Sequence, residues 1–496
     1  MVENETAKGI EPARHWIDGE WVRSATVAKS VSPSTGEVLG EYCAGGQVEA
    51  EAAIAAARKS FDTGAWPHNP QLRSQALSEL ADRLEERAEA IALMLSREMG
   101  KTLRDATWEA KSSPSTLRYN AGTAVSQTGT SSEIAPGLFA STMREPIGVA
   151  GIIVPWNSPV ALLIRALAPA LAAGCTTVVK LPGQTALTNS LIMEAVAATR
   201  SLPNGVVNIF TESGNGGAPA MVESPDVDVI NYTGSTKVGR QVAEKGAQTL
   251  KRMGLELGGK TPLIVFEDAD IDIVAPIVVT ALTKFNGEFC MTGSRVLVQQ
   301  SVADAYRRRI ASLLEKVVVG RADDLASEMG PLVDKPNVAR IDRFVEDAKQ
   351  YARIIVRGGP IVDGPLAAGA FYRPSMLETE ALDVPLIQEE IFGPVLSFET
   401  FATEDEAIIR ANGTIFGLAA AVFTKDVDRA QRVSRAIKAG TVWTNTWGVL
   451  NDAFEEGGFK QSGIGRARGA RAMEEFQEQK TQIRVIAPSP TDHPRT

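Results

Sequence analysis

Histidine is nearly missing from this chain of 496 residues: there are three, His15, His68 and His493. None lies mid-chain and none is spaced as a metal-binding pair. A Ser-His-Asp or Cys-His hydrolase needs an imidazole beside its nucleophile, and no Gly-x-Ser-x-Gly elbow is present either. Cysteine is as rare, with only Cys43, Cys175 and Cys290. Three thiols cannot build a disulfide framework, so a reducing compartment is expected. Positive charge is not in excess: Lys and Arg total 51 against 60 Asp and Glu, for a net charge of −9. That argues against nucleic acid, whose binding demands basic stripes. The longest apolar run, Val160–Val179, is interrupted by Arg165, Pro169 and Gly174, so it reads as a buried helix, a turn and a strand, with no membrane span. The acidic, polar start Met-Val-Glu-Asn-Glu-Thr is not a secretory signal, and the cytoplasm is the default compartment. Neither an internal repeat nor a low-complexity segment is evident.

What remains is an ordinary globular composition, 44% hydrophobic and 22% charged. It is long enough for roughly two to four domains. Trp16-Ile-Asp-Gly-Glu-Trp21 puts Asp18-Gly19 between apolar pairs, a hairpin signal. Stretches 48–61, 71–99 and 102–120 carry apolar residues at helical spacing. Segment 128–144 lacks that period and reads as a pair of strands leaving the body, with 480–486 as another. Exposed strands need something to pair with. Subunit pairing and a plain surface hairpin are equally compatible with these residues. The tail after Ala487 is expected to be disordered.

From Gly148 strand and helix patterns alternate as far as Glu256, and again from about 259 to 460. Alternation of this kind means βαβ units and parallel sheets covered on both faces. Such sheets bind ligands at the carboxyl ends of their strands. Asn157, Lys180 and Thr233-Gly234-Ser235 fall at those ends. A helix opening after Gly234 and Ser235 could hold a phosphate on its free N–H groups or could be a plain N-cap. The usual Gly-x-Gly-x-x-Gly dinucleotide fingerprint is missing. Cys290 lies between Gly287 and Gly293, at the junction of a helical and an extended run. It is either a reachable nucleophile or a small buried hydrophobe. With no histidine nearby, a nucleophile here would work with a carboxylate.

Two stretches, Glu256-Leu-Gly-Gly-Lys260 and Phe289-Cys290 with Gly287 and Arg295, resemble the signatures of the aldehyde dehydrogenase superfamily. Pro155-Trp-Asn157, Thr233-Gly-Ser-Thr236, Glu390-Ile-Phe-Gly-Pro394 and Gly457-Gly-Phe-Lys-Gln-Ser-Gly463 follow in the family's order and at its spacing. The resemblance runs nearly end to end. It implies an α/β fold with a Rossmann-like cofactor domain (1–127 and 148–258), a second α/β catalytic domain (259–460) and a small β oligomerisation element (128–147 and 461–496). It implies oxidation of an aldehyde to its acid with NAD or NADP. Cys290 would attack the aldehyde carbon, and Asn157 with the Cys290 N–H would hold the oxyanion. Hydride would pass to the nicotinamide, and Glu256 would activate the water that hydrolyses the thioester. Trp156, Lys180, Gly183, Gly234, Ser235, Glu390 and Phe392 would line the cofactor site, with no metal. Homodimers or homotetramers are implied.

The chain departs from the family's pattern in places. Gly183 replaces the Glu that grips the adenosine ribose, so NADP⁺ should be tolerated. Glu455-Glu456 replaces Pro-Phe before Gly457, Glu288 stands where Gln is common, and Ala166 stands where Lys is frequent. Phe289, Met291, Trp156, Trp447 and Phe454 point to an apolar pocket for an aromatic or medium-chain aldehyde. The rival readings are a CoA-acylating member of the fold, a non-catalytic binding protein, and a cysteine hydrolase. Glu256 argues against the first, the presence of both Cys290 and Glu256 against the second, and the lack of a histidine base against the third.

Overall fold

The computed structural model describes residues 11–486; the acidic start and the tail after Ala487 lie outside them. Five parallel strands form the centre of the first sheet, in the order Val207–Glu212, Thr176–Pro182, Val149–Ile153, Val229–Thr233, Arg252–Glu256. Taken in chain order these run 3-2-1-4-5, so the winding direction reverses between Val149–Ile153 and Val229–Thr233. The carboxyl ends at such a switch point open a crevice for a ligand. Successive side chains of a strand face opposite ways. Accordingly Val179 packs in a core with helices Pro70–Glu86, Leu103–Val125 and Pro159–Ala173, and Val178 in another with helix Gln47–Thr63. All five residues of Val149–Ile153 are buried, as a strand covered on both faces requires.

The second sheet runs Arg353–Val356, Ser375–Glu378, Val395–Phe401, Arg295–Gln299, Pro262–Val265, Ala419–Phe423, Thr441–Thr444, antiparallel only at its first pair. Leu263 and Val265 face helices Ile271–Thr283 and Ala303–Leu314, whereas Ile264 faces Glu404–Asn412 and Val427–Ala436. A third sheet of three antiparallel strands, Gln477–Val485, Leu138–Pro146 and Ser131–Ala135, stands apart. The expected hairpin forms at Trp16↔Trp21, with Asp18 and Gly19 both left-handed at φ 51° and 80°. These are the signs a type I′ turn needs.

Two features position the site. After the second sheet the chain returns to the first, where Gly463–Ile464 pairs antiparallel with Leu255 and Glu256, and the Leu257 N–H donates to the Ser462 carbonyl at 2.9 Å. The helix that leads toward Cys290 ends at Thr283, two residues short of Phe285. Phe285, Asn286 and Gly287 are left-handed, with φ of 50°, 60° and 78°. Such backbone persists only where its surroundings over-determine it. Here Asn286 is fully buried. Its amide donates to the carbonyls of Gly100 and Pro331 at 2.9 and 2.8 Å and accepts the Gly330 N–H at 2.7 Å. Tertiary contacts, not helical periodicity, end this helix. No helix among the described residues is long and apolar enough to cross a membrane.

Candidate active site

The left-handed turn at 285–287 aims the following loop back across the carboxyl ends of the first sheet. Gly287 lies so close to the Gly393–Pro394 backbone that a Cβ would stand 2.5 Å from the Pro394 nitrogen. Cys290 is thereby brought to a cavity of about 440 Å³ that Trp156, Asn157, Lys180, Gly234, Ser235, Glu256, Glu390 and Phe392 also line. Of the catalytic and cofactor residues picked out by sequence, only Gly183 falls outside it; of those expected to shape the substrate pocket, Trp156 lines it and Phe289, Met291, Trp447 and Phe454 do not. Tyr232, Leu162 and Arg340 line the same cavity and were not foreseen; none carries a motif of its own.

Cys290 is partly exposed. Burial of its sulfur pushes the thiol up to about 12; Arg165 opposes this, and Glu456, Glu390 and Glu256 add to it. Asn157 is buried beyond the first strand, and its Nδ2 donates to the Glu288 carbonyl at 3.0 Å. That bond fixes the amide beside the cysteine loop and leaves a second N–H on the same nitrogen. Behind Asn157 a fully buried pair, Lys101 and Glu109, braces the helix that begins at Pro159. Glu109 accepts the N–H groups of Val160 and Ala161 at 2.9 and 3.1 Å, where a helix N-terminus favours negative charge.

Glu256 ends its strand, and its carboxyl group is buried. Desolvation pushes it up to about 8, against the pull of Arg165. Glu390 is pushed up to about 7 by burial, although it accepts the Gly259 N–H at 3.0 Å. The loop carrying Glu390 is held by Arg340, which donates to the Ile391 carbonyl at 2.8 Å. Phe392 follows with φ 54°, its ring edge-on to Trp156 at 5.6 Å. Ser235 caps helix Thr236–Gly246 by accepting the Val238 N–H at 3.3 Å. The N-cap is therefore real, and the helix N-terminus still opens on the cavity. A second hollow of about 530 Å³ lies between helices Gly217–Glu223 and Thr236–Gly246, and shares Ile153 and Tyr232 with the first. Together they offer a continuous groove with a helix N-terminus at its middle.

Gly183 is buried beneath this groove. A Cβ there would meet the Tyr42 hydroxyl at 2.5 Å and the Ser213 Cβ at 2.9 Å. The nearby Glu212 is engaged by the N–H groups of Gly216 and Gly217 at 2.7 and 2.6 Å. Outside the cavity lining, Phe289, the neighbour of Cys290 in the chain, meets Trp447 edge to face at 6.1 Å, and Trp447 Nε1 donates to the Met291 carbonyl at 3.1 Å. Met291 itself is buried in the core beneath the second sheet, away from the cavity. Phe454, expected near the pocket, is 72% exposed and does not line it.

An α/β chain whose two sheets are mainly parallel, with a groove at a topological switch point and a cysteine, an amide and a buried carboxyl at one end of it, has the build of a nucleotide-binding enzyme. Comparison with known proteins makes the class specific. The sequence profile of the aldehyde dehydrogenase family matches residues 21–482. Aldehyde dehydrogenase 1 of Tanacetum cinerariifolium is 37% identical over 490 residues, covering 98% of this chain and 97% of that protein. Aldehyde dehydrogenase, cytosolic 1 of Rattus norvegicus is 37% identical over 478 residues, 95% of each. The crystal structure of betaine aldehyde dehydrogenase from Staphylococcus aureus in complex with NAD+ superimposes with a TM-score of 0.93 at 34% identity, covering 97% of this chain and 96% of that one. This chain belongs to the aldehyde dehydrogenase family, NAD(P)-dependent enzymes that oxidise aldehydes to acids.

Proposed function

We propose that the protein oxidises an apolar aldehyde, aromatic or of medium chain length, through an acyl thioester on Cys290 that water activated by Glu256 hydrolyses. The observation that carries this reading is the meeting of Cys290, Asn157 and Glu256 on one cavity that continues into the groove. Cys290 loses its proton and its sulfur bonds to the aldehyde carbon. The carbonyl oxygen takes up the negative charge, and the Asn157 amide with the Cys290 N–H donates to it. Loss of one such donor costs about 10²–10³ in rate. The nicotinamide cofactor, when bound, accepts the hydrogen and two electrons of the aldehyde carbon, which leaves a thioester. Glu256 then takes a proton from water as the water oxygen attacks, and the C–S bond breaks to return the thiol. A carboxyl raised toward neutrality is a suitable base for this step.

The groove residues fit a dinucleotide. The helix N-terminus after Gly234 and Ser235 would hold the pyrophosphate. Lys180 would reach the adenosine ribose, Glu390 the nicotinamide ribose, and Phe392 with Trp156 would flank the nicotinamide. With no carboxylate at 183 to repel a 2′-phosphate, NADP⁺ is accepted beside NAD⁺. Phe289 and Trp447, outside the cavity lining, would be the substrate's apolar wall. The protein works as a homodimer or homotetramer, in a reducing compartment such as the cytoplasm, where Cys290 stays a thiol. The test is Cys290→Ala. Oxidation of a panel of apolar aldehydes should fall to background, while calorimetric titration still detects both NAD⁺ and NADP⁺. Turnover persisting in this variant would overturn the reading, and binding of NAD⁺ alone would overturn the dual-cofactor part.

A further inference from the structure

A second buried acid stands behind Glu256. The returning loop turns Glu456 inward, and its Oε1 lies 2.7 Å from Arg165 Nη1 and 3.4 Å from Arg468 Nε. Its Oε2 is buried, and among the described residues no donor reaches it. Arg165 comes from the middle of an otherwise apolar helix. Its Nη2 donates to Thr233 Oγ1 at 2.9 Å, at the mouth of the switch-point crevice. Its Nη1, the nitrogen that holds Glu456, is also 3.9 Å from Glu256 Oε2. One guanidinium is therefore shared by two carboxylates, all three groups being at least nine-tenths buried.

A brace between helix and loop would need only the Arg165–Glu456 pair, and replacing such a buried pair by apolar residues is often neutral for stability. The sharing of Nη1 with Glu256 has a chemical consequence. An arginine bonded directly to Glu256 would hold it ionised at low pH and leave it a feeble base. No arginine at all would push its ionisation still further above neutral pH in a dry site. We propose that Arg165 and Glu456 are opposed positioning residues for the water-activating step: Arg165 favours the ionised form of Glu256, and Glu456 limits that pull by setting a second negative charge against the same nitrogen. This rests on the reading of Glu256 as the base. Other groups facing Glu256 are Arg466 on the returning loop and Glu475 on the turn Ala470–Phe476, with the Cys290 thiol across the cavity. Glu475 is itself pushed up to about 7 by burial and accepts the Arg466 N–H, so it adds little negative charge below neutrality.

The two members of the pair should move the enzyme in opposite directions. Removing Arg165 raises the pH at which Glu256 ionises, and removing the charge of Glu456 lowers it. The assay is hydrolysis of p-nitrophenyl acetate, an activated ester that a nucleophilic Cys290 would take up as an acyl group without cofactor. The nitrophenol burst reports acylation, and the steady rate reports deacylation. For Glu456→Gln, which keeps an acceptor for Arg165, the acid limb of deacylation should move down by about one to three pH units. For Arg165→Met it should move up by a similar amount, and the double variant Arg165→Met/Glu456→Leu should fall between. Should Arg165→Met not fold, Glu456→Gln decides alone. An unmoved or upward limb in Glu456→Gln, with Glu256→Gln unable to deacylate, would overturn the inference and leave the pair a brace. Deacylation at the parent rate in Glu256→Gln would instead remove the reading of the base, and the inference with it.

Discussion

Glu256 is held where its chemistry is useful and its charge is costly. An ordinary glutamate ionises near 4.5, and burial lifts this one to about 8. Between those two values the folded chain keeps a proton that the unfolded chain has released. Stability therefore falls as pH rises through that window and levels off above it. Glu256→Gln removes the ionisation altogether. It should melt higher than the parent at about pH 9, with the gap closing toward about pH 5. Scanning calorimetry across that range checks this, and a lower melting point for the variant at the alkaline end would contradict it. The same variant should lose thioester hydrolysis, so stability and activity are traded at one side chain.

At the scale of the element, the cysteine loop depends on one amide. Asn286 satisfies two carbonyls and one N–H from Gly100, Pro331 and Gly330. It does so from a left-handed conformation that asparagine tolerates better than most residues. Asn286→Ala leaves those backbone groups without partners inside a dry core. Each such loss costs about 1–3 kcal/mol, so for the three groups we expect about 3–9 kcal/mol from denaturant unfolding. A larger relative fall in kcat than in cofactor affinity should accompany it, because the loop aims Cys290 and not the groove. An unfolding midpoint like that of the parent would show the loop is held by other contacts.

At the scale of the whole molecule, the three-stranded sheet is the part that the chain alone does not cover. All five residues of Ser131–Ala135 are exposed, as are all but the first of Gln477–Val485. Ile134, Ile483 and Val485 present apolar surface there, beside two open strand edges. Such edges invite pairing with a second chain. Ile483→Lys should lower the mass measured by light scattering while leaving the far-ultraviolet dichroism unchanged, because this residue belongs to neither sheet core. An unchanged mass would count against pairing of chains through this edge.

Much of the site was legible in the order of residues. Helix and strand periods come from short-range sterics, so the alternation from Gly148 onward announced parallel sheets, and strand ends announced Asn157, Lys180 and Ser235. The likeness of the stretches around Glu256, Cys290 and Glu390 to aldehyde dehydrogenase signatures implied that the three share a site. What the order could not convey is charge held against charge across great lengths of chain. Arg165 looked like an interruption in an apolar run, and Glu456 like a departure from a motif; they meet across 291 positions. Tyr42 and Ser213 closing over Gly183, and the helix ending at Thr283, are of the same kind. Desolvation and ion pairing depend on what the folded chain brings within a few ångströms, so only the tertiary structure decided how strongly the base is tuned and by which neighbours.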